Sequence, residues 1–249
     1  MKNIIFIPAR YSSSRLPGKV LMELEGKSII QHCYENALKS ELKDSIFILV
    51  DNDKVYEHCL TFTKNVIMTS SQHESGTSRI SEVSSKNKFS QTDNIINLQG
   101  DEPFISPKLI DKMFLSLLEG NNIVSCYHNI DENTAKSINN VKVVLDKNNN
   151  ALYFSRSLIP FIRDKEEDKM YSYNQHIGLY GYKKEFVNKI AKLSISAIEK
   201  KEKLEQLTFL YEGYNINMIF TEEAPIGIDT KEDYDYALMR IKKLREENE

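Results

Sequence analysis

A basic loop rich in hydroxyl side chains follows the first apolar run of the chain. Residues 8–19 read PARYSSSRLPGK, with three cations and four hydroxyl side chains within twelve residues. Arg and Lys bind phosphate oxygens through charge-assisted hydrogen bonds, and small hydroxyl residues leave backbone N–H groups accessible. A solvated charged loop is the alternative, but the position directly after an apolar run favours a ligand. The loop therefore predicts a triphosphate site.

The spacing within this loop excludes two common nucleotide-binding loops. A Walker A loop requires GxxxxGK[ST], and a dinucleotide-binding loop requires GxGxxG directly after a strand. Neither pattern follows the first apolar run. The sequence therefore lacks the motif that would best support an NAD-dependent oxidoreductase.

Acidic residues follow a later apolar run in the segment QGDEP, residues 99–103. A carboxylate at the end of a buried strand and beside a glycine can project into a cleft as a Mg²⁺ ligand. This interpretation applies to Asp101 and less clearly to Glu102; a turn followed by a helix cap is the structural alternative for both. Asp229 lies before a predicted helix, where an N-cap is its default role.

Strands and helices alternate in the first half of the chain, which predicts right-handed βαβ units and a mostly parallel sheet. Ligands bind such sheets outside the carboxyl ends of the strands, here in the loops after Ile7, Val50 and Leu98. The apolar patterns predict strands at Asn3–Pro8, Ser45–Val50, Val66–Met68 and Asn94–Leu98. They predict helices at Ser28–Lys39, Asp53–Phe62, Thr77–Lys86 and Pro107–Leu118.

Short strands dominate after about residue 120, and we interpret the chain as one α/β domain, 1–249, with a smaller mixed α/β lobe. Its parts are residues 1–120, 121–225 and 226–249. The predicted strands here are Ile123–Tyr127, Val141–Leu145, Ala151–Phe154, Gln175–Tyr182 and Ile216–Phe220. The predicted helices are Lys183–Lys192, Glu202–Tyr211 and a charged helix from Lys231 to the end.

The composition is that of a globular protein. Of the 249 residues, 41% are hydrophobic, which excludes intrinsic disorder, and 33 Lys and Arg against 36 Asp and Glu give a net charge of −3. Without a basic excess, a nucleic-acid partner is not expected. No apolar run approaches the roughly 20 residues of a membrane span. The three cysteines, Cys33, Cys59 and Cys126, lack disulfide or zinc spacing, and no signal peptide is visible, so we expect a cytoplasmic location.

Eight segments together resemble the 3-deoxy-manno-octulosonate (Kdo) cytidylyltransferase family. They are ARYSSSRLPGK at 9–19, HESGTSR at 73–79, QGDEP at 99–103, YFSR and IPFIRD within 153–164, HIGLYGY at 176–182, LEQL at 204–207 and GIDTKED at 227–233. Ser78 departs from the family, which has an acid there; we expect a loss of local helix stability of about 0.3–1 kcal/mol more than a loss of chemistry. Val50 and Ile138 replace the usual Thr and Pro.

The resemblance implies a nucleotidyltransferase-type fold, CTP and Kdo as substrates, CMP-Kdo and pyrophosphate as products, and Mg²⁺ as the cofactor. It implies catalytic roles for Arg10, Lys19, Asp101 and Asp229, the two aspartates being the metal ligands. Nucleotide contacts are implied for Pro8, Ala9, Arg10, Ser12, Arg15, Lys19, Asp51, Ser75, Gly76, Thr77, Arg79 and Gln99. Sugar contacts are implied for Gln99, Arg156, Arg163, His176, Tyr180, Glu205 and Gln206.

The family also implies a homodimer, with residues 121–225 supplying the sugar site and much of the dimer contact, and a product used for lipopolysaccharide or capsule. Two alternatives stay open from the sequence. The acceptor could be a related keto-sugar acid, such as 8-amino-Kdo or a sialic-acid-like sugar, because single polar contacts decide between such substrates. The chain could also be a non-catalytic nucleotide-binding protein, since a fold does not fix a function.

Overall fold

The fold is available as a computed structural model, which describes residues 1–12, 16–73, 75–85, 89–163, 171–222 and 226–246. Its strands are β1 (Asn3–Ala9), β2 (Glu23–Leu24), β3 (Lys27–Ser28), β4 (Ser45–Val50), β5 (Val66–Met68), β6 (Asn94–Asn97), β7 (Ile123–Ile130), β8 (Lys142–Leu145), β9 (Ala151–Ser155), β10 (Tyr173–Lys183) and β11 (Asn217–Phe220). Its α-helices are α1 (Ile29–Ala37), α2 (Asp53–Leu60), α3 (Gly76–Ser85), α4 (Pro107–Leu118), α5 (Glu132–Ala135), α6 (Lys184–Ile190), α7 (Ala197–Glu202), α8 (Gln206–Tyr211) and α9 (Lys231–Glu246).

One twisted sheet runs through the described chain in the strand order β11-β7-β10-β6-β1-β4-β5. The pairs β6/β1, β1/β4, β4/β5 and β11/β7 are parallel, and β10 is antiparallel to both of its neighbours. The prediction of an α/β fold with a mostly parallel sheet is therefore confirmed. The strands after residue 120 extend the same sheet, and the β8/β9 hairpin pairs with β10 at its side.

Strand β1 shows how the sheet buries both of its faces. Successive side chains of a strand point to opposite faces, and here both sets are apolar and buried. Ile5 and Ile7 join the apolar cluster that includes residues of α1, α2 and α4. Ile4 and Phe6 join the cluster that includes residues of α3, α6 and α8. Because helices cover both faces, the ligand-binding positions are left to the loops at the carboxyl ends of the strands.

The predicted helix Glu202–Tyr211 is confirmed only in part: α8 covers Gln206–Tyr211, but Glu202 ends a separate helix, α7, and the chain breaks between the two. Ser196 caps α7 by accepting a hydrogen bond from the Glu199 N–H, and Lys203 ends that helix in the left-handed region with φ 56°. The side chain of Leu204 is then buried between the helices. The break lets α8 begin beside α3, which places Glu205 at the site described below. The sequence carries no glycine here to announce the turn.

Other boundaries differ by a few residues. The helix predicted from Thr77 begins at Gly76, and its predicted end, Lys86, lies outside the described residues. Strand β10 is longer at both ends than its prediction. No helix in the described part of the chain is long and apolar enough to cross a membrane.

Candidate active site

The basic loop is closed by a backbone hydrogen bond. The Gly18 N–H donates to the Tyr11 carbonyl over 2.9 Å, and Gly18 has φ 70°, a conformation that favours glycine. A short 3₁₀ turn, Lys19–Leu21, follows directly. The closed loop therefore sets Arg10 and Lys19, which flank Tyr11 and Gly18, at its two ends. Arg15, predicted from the same loop, lies outside the described residues.

Lys19 lies between two carboxylates. Its Nζ is 2.5 Å from Asp101 Oδ2 and 2.7 Å from Asp229 Oδ1, and its side chain is 9% exposed. Burial disfavours the charged ammonium, but the attraction of Asp101 and Asp229 outweighs it and raises the pKa of Lys19. A backbone hydrogen bond from the Ile228 N–H to the Asp101 carbonyl, 2.9 Å, joins the two acidic segments. Residues over 200 positions apart thus form one charged cluster.

Glu102, to which the sequence analysis assigned a metal role less clearly than to Asp101, adds a third carboxyl group beside this cluster. Burial, together with the neighbouring charges of Asp101 and Asp229, raises the pKa of Glu102 to about 8, and Lys19 opposes this shift. Its buried Oε2 accepts no hydrogen bond from any described residue. The QGDEP segment gave a sequence signal for this residue, but its burial could not be read from the sequence.

The donor set fits a divalent cation. Asp101 and Asp229 already converge on one cation, the Lys19 ammonium, and Mg²⁺ is characteristically held by one or two carboxylates, with water and substrate phosphates completing its ligands. The described residues contain no group of three or more His, Cys, Asp or Glu side chains arranged as a metal cage. Two carboxylates leave the other ligand positions of such a cation to water and phosphate oxygens.

A cleft of about 420 Å³ opens over the charged cluster at the carboxyl ends of β1 and β6. It collects many of the residues implied by the resemblance, together with Val20 and Gly100. Its lining residues are Pro8, Arg10, Ser12, Lys19, Val20, Gly76, Gln99, Gly100, Asp101 and Asp229. Ala9 is fully buried beneath this cleft in β1.

Gly76 lies where the start of α3 approaches β6 closely. A Cβ at this position would lie 3.0 Å from Gln99 Nε2 and 3.1 Å from Asn97 Nδ2. The Gln99 amide in turn donates to Asn97 Oδ1 over 3.0 Å. A side chain at Gly76 would therefore displace the Gln99 amide that faces the cleft.

The N-terminus of α3 is capped by two serines and joined to α8. The Ser78 N–H donates to Ser75 Oγ, and Ser78 Oγ lies 3.4 Å from the Ser75 N, in the reciprocal pattern of a capping box. Ser75 Oγ and Thr77 Oγ1 each donate to the Glu205 carboxylate over 3.1 Å. The serine at position 78 therefore keeps a local cap. Glu205, implied as a sugar contact, bonds two residues implied as nucleotide contacts.

Asp51 and Arg79 form a buried ion pair next to the basic loop. Their side chains are 6% and 1% exposed, and Arg79 Nη2 lies 2.9 Å from Asp51 Oδ2. Neither residue lines the cleft.

His176, Tyr180 and Gln206, three of the implied sugar contacts, lie together on β10 and α8. His176 Nε2 is 3.0 Å from Ser125 Oγ, and Gln206 Nε2 is 3.5 Å from His176 Nδ1. Burial lowers the pKa of His176 to about 3, so its imidazole is neutral near pH 7. Burial is also the largest cause of the raised pKa of Tyr180, whose hydroxyl makes no hydrogen bond of good geometry with the described residues. The cluster offers uncharged donors and acceptors.

The two remaining implied sugar contacts are Arg156 and Arg163, and among the described residues no hydrogen bond joins either of them to this cluster. Arg156 Nε donates to the Glu202 carbonyl and its Nη1 donates to the Ile138 carbonyl, which leaves Nη2 without a partner among the described residues. Lys142, which the sequence analysis did not single out, is fully buried and donates to the Arg156 carbonyl. Arg163 is exposed and bonds no described residue.

Comparison with known proteins gives the same family from sequence and from structure. The family described as cytidylyltransferase matches residues 4–220. A protein of Fusobacterium nucleatum named 3-deoxy-manno-octulosonate cytidylyltransferase is 42% identical over 98% of both chains. A Francisella tularensis protein of the same name is 42% identical over 98% of this chain and 99% of its own.

Solved structures extend this similarity. A CMP:2-keto-3-deoxy-manno-octonic acid synthetase complexed with CTP matches with a TM-score of 0.91 and 36% identity, over 98% of this chain and 99% of its own. A 4-diphosphocytidyl-2C-methyl-D-erythritol synthase from Anaerococcus prevotii matches with a TM-score of 0.64 and 15% identity, which shows a shared fold alone. The matched span and the near-complete coverage at 42% identity establish that this chain belongs to the cytidylyltransferase family.

Proposed function

We propose that this chain transfers the cytidylyl group of CTP to Kdo and releases pyrophosphate. The observation that carries the proposal is the cleft in which Lys19, Asp101 and Asp229 converge beside Arg10. The names of the curated relatives and the CTP complex of the similar synthetase support the choice of substrates. A non-catalytic nucleotide-binding protein would have no need of the convergent charged groups.

The cleft provides a binding site of the right chemistry for the nucleotide. Arg10, Lys19 and the hydroxyl of Ser12 contact the triphosphate, and Arg15 belongs to the same loop. Gly76 and the Gln99 amide face the nucleoside, and Ser75 and Thr77 stand beside them on α3. Pro8 and Ala9 form the floor of the site. Charge-assisted hydrogen bonds from the basic loop supply much of the affinity.

The reaction proceeds by in-line attack of the sugar's anomeric hydroxyl on the α-phosphorus. Such transfers give a protein little covalent work, so positioning and charge stabilisation supply the rate enhancement. Arg10 and Lys19 stabilise the negative charge that develops on the departing pyrophosphate. No Ser or Cys nucleophile takes part.

Asp101 and Asp229 would hold Mg²⁺. An ion held there would polarise the α-phosphate and lower the pKa of the attacking hydroxyl. The same two aspartates bind the Lys19 ammonium.

The acidic sugar occupies the neighbouring cluster on β10 and α8. Neutral His176, Tyr180 and Gln206 bond its hydroxyls, with Gln99 and Glu205 between the two substrates. The free Nη2 of Arg156 is available to the sugar carboxylate, a planar pairing that guanidinium groups favour. We retain Arg163 as a further contact made on substrate binding.

We also propose that the protein is a homodimer. Large apolar side chains are exposed on and around the β8/β9 hairpin: Ile138 is 68%, Leu152 is 61% and Phe161 is 81% exposed. Where such side chains lie together on a surface, they are characteristic of an interaction site. Residues 121–225 would then carry both the sugar site and the dimer contact within a single domain. Light scattering on the purified protein tests the mass: one chain weighs 28.8 kDa.

The product would feed lipopolysaccharide or capsule synthesis, and the reaction would take place in the cytoplasm, where CTP is made. Cell fractionation with antibodies against the protein tests the location. Accumulation of free Kdo on depletion of the protein tests the pathway.

Pyrophosphate release by the purified protein tests the reaction. The assay combines Mg²⁺ and Kdo with each of CTP, UTP, ATP and GTP. We expect release that requires CTP, Kdo and the metal together. Binding of CTP without turnover of Kdo would leave the nucleotide site intact and move the acceptor to a related keto-sugar acid, such as 8-amino-Kdo or a sialic-acid-like sugar. Absence of CTP binding would refute the proposal.

The Asp101→Asn variant tests the metal role. We expect turnover to fall by at least about a thousandfold, because the amide is a weaker ligand and carries no charge. Asp111→Asn is a matched control: Asp111 accepts hydrogen bonds from Ser40 and from backbone N–H groups in the segment before β4, away from the carboxyl ends of the strands. Near-normal kcat in Asp101→Asn would contradict the metal role.

A further inference from the structure

The ion pair of Asp51 and Arg79 makes its hydrogen bonds within the protein. Arg79 is fully buried and donates through Nη1 to Thr69 Oγ1 over 2.5 Å and through Nη2 to Asp51 Oδ2 over 2.9 Å. Thr69 Oγ1 itself donates to the Val50 carbonyl at the end of β4. The charge of the guanidinium is thus already neutralised by a buried carboxylate. Little of the positive charge of Arg79 therefore remains to attract a ligand.

The second oxygen of Asp51 reaches the basic loop. Asp51 Oδ1 accepts the Tyr11 N–H over 3.1 Å, and the Tyr11 carbonyl accepts the Gly18 N–H over 2.9 Å. Tyr11 is therefore held at both its N–H and its carbonyl. Tyr11 and Gly18 are next in the chain to Arg10 and Lys19, the two described cations of the cleft.

We propose that Asp51 and Arg79 are positioning residues that set the basic loop for the triphosphate, in place of the direct nucleotide contacts that the resemblance implies. The proposal rests on the proposed function, because it takes the loop as the triphosphate site. The ion pair fixes Asp51, Asp51 fixes the Tyr11 backbone, and the Tyr11–Gly18 bond fixes the spacing of the two cations. The Asp51–Arg79 ion pair thus affects binding of the phosphates and leaves binding of the base unchanged.

The binding of two fragments of the nucleotide separates positioning from contact. Inorganic tripolyphosphate probes the loop, and cytidine, which has no phosphate, probes the base and ribose site. We expect Asp51→Asn, which keeps an acceptor near Tyr11 but breaks the ion pair, to weaken tripolyphosphate binding by about tenfold or more. The inhibition constant of cytidine, and the KM for the sugar, should stay within about twofold of the wild type.

Asp111→Asn is again the matched control, since it removes the same charge from a carboxylate that accepts backbone N–H groups far from the cleft. It should leave both fragments' binding unchanged. If Asp51→Asn does not fold, as judged by circular dichroism, Arg79→Lys gives the same comparison, because lysine keeps a cation near Asp51 without the planar fork of donors.

Two results would overturn the inference. Weakened cytidine binding with unchanged tripolyphosphate binding would mean that the pair contacts the nucleoside directly. Unchanged binding of both fragments would mean that the pair does not act on the loop at all. If the wild-type protein itself binds neither CTP nor tripolyphosphate, the proposed function fails first; wild-type binding with an insensitive variant refutes this inference alone.

Discussion

Replacing Lys19 by Met should abolish turnover and yet strengthen metal binding. The Lys19 ammonium lies 2.5 Å and 2.7 Å from the oxygens of Asp101 and Asp229, where it competes with any divalent cation for the same carboxylates. A divalent cation and a unit charge about 4 Å apart repel by about 2 kcal/mol even at the dielectric constant of water. Removing that charge should therefore tighten Mg²⁺ binding to the nucleotide-free protein by roughly thirtyfold.

The same variant should be less stable without metal. Removing one partner of a fully buried ion pair costs about 3–5 kcal/mol; because Asp229 is 48% exposed, we expect about 2 kcal/mol here. Mg²⁺ should restore much of this loss. The raised pKa of Lys19 means that its stabilising charge is fully present below its ordinary pKa of 10.5 and is lost only as the pH rises through the raised value, so pH 7.5 is a suitable condition.

Isothermal titration of the metal-free protein with MgCl₂, and thermal unfolding with and without Mg²⁺, measure the two effects. Lys184→Met is the matched control, because Lys184 is 3% exposed and its Nζ donates to the Phe89 carbonyl at the opposite end of the sheet. It should lose stability without any change in metal affinity. Mg²⁺ binding by Lys19→Met that is no tighter than that of the wild type would refute the reasoning that the ammonium and the metal share one site.

Three further outcomes follow from packing and protonation. Gly181→Ala should destabilise the fold by about 1–3 kcal/mol in urea unfolding, because its Cβ would lie 2.6 Å from a methyl group of β7, whereas Gly178→Ala on the same strand meets nothing within 4 Å and should not. Gly76→Ala should raise the KM for CTP and the KM for the sugar several-fold, because the new methyl group displaces the Gln99 amide, which lies between the two substrates. His176→Gln should flatten the acid limb of the stability profile: with a pKa of about 3 when folded and 6.5 when unfolded, His176 costs stability as the pH falls from about 6.5 toward 3.

Each of these outcomes can fail in a specific way. Equal unfolding free energies for the two glycine variants of β10 would mean that the strand shifts to admit a methyl group. Unchanged KM values for both substrates in Gly76→Ala would mean that the Gln99 amide is not displaced by the methyl group or does not contact the substrates. An unchanged acid limb in His176→Gln, measured by thermal unfolding between pH 4 and pH 7, would mean that His176 binds its proton as easily in the folded chain as in the unfolded one.

The sequence by itself determined the fold class and most of the cleft. Alternating strands and helices predict a parallel sheet, and the rule that ligands bind at the carboxyl ends of strands directs attention to the loops that carry Arg10, Lys19 and Asp101. Local patterns suffice for this, because strand burial, helix periodicity and a charged loop are properties of short segments. The eight motifs, taken in order, then indicated the family.

Only the tertiary structure decided which side chains lie in contact and which of them are charged or neutral. Asp229 meets Lys19 across 210 positions, Glu205 joins Ser75 and Thr77 across about 130, and no pattern within a segment encodes those distances. The left-handed Lys203 that ends α7 was likewise invisible, because no glycine marks it. Burial is the physical reason for the protonation and pairing of the other groups. It keeps the imidazole of His176 neutral, and it requires the buried charge of Arg79 to be balanced by a carboxylate. Desolvation depends on everything that packs around a group, so it belongs to the folded chain and not to any segment of the sequence.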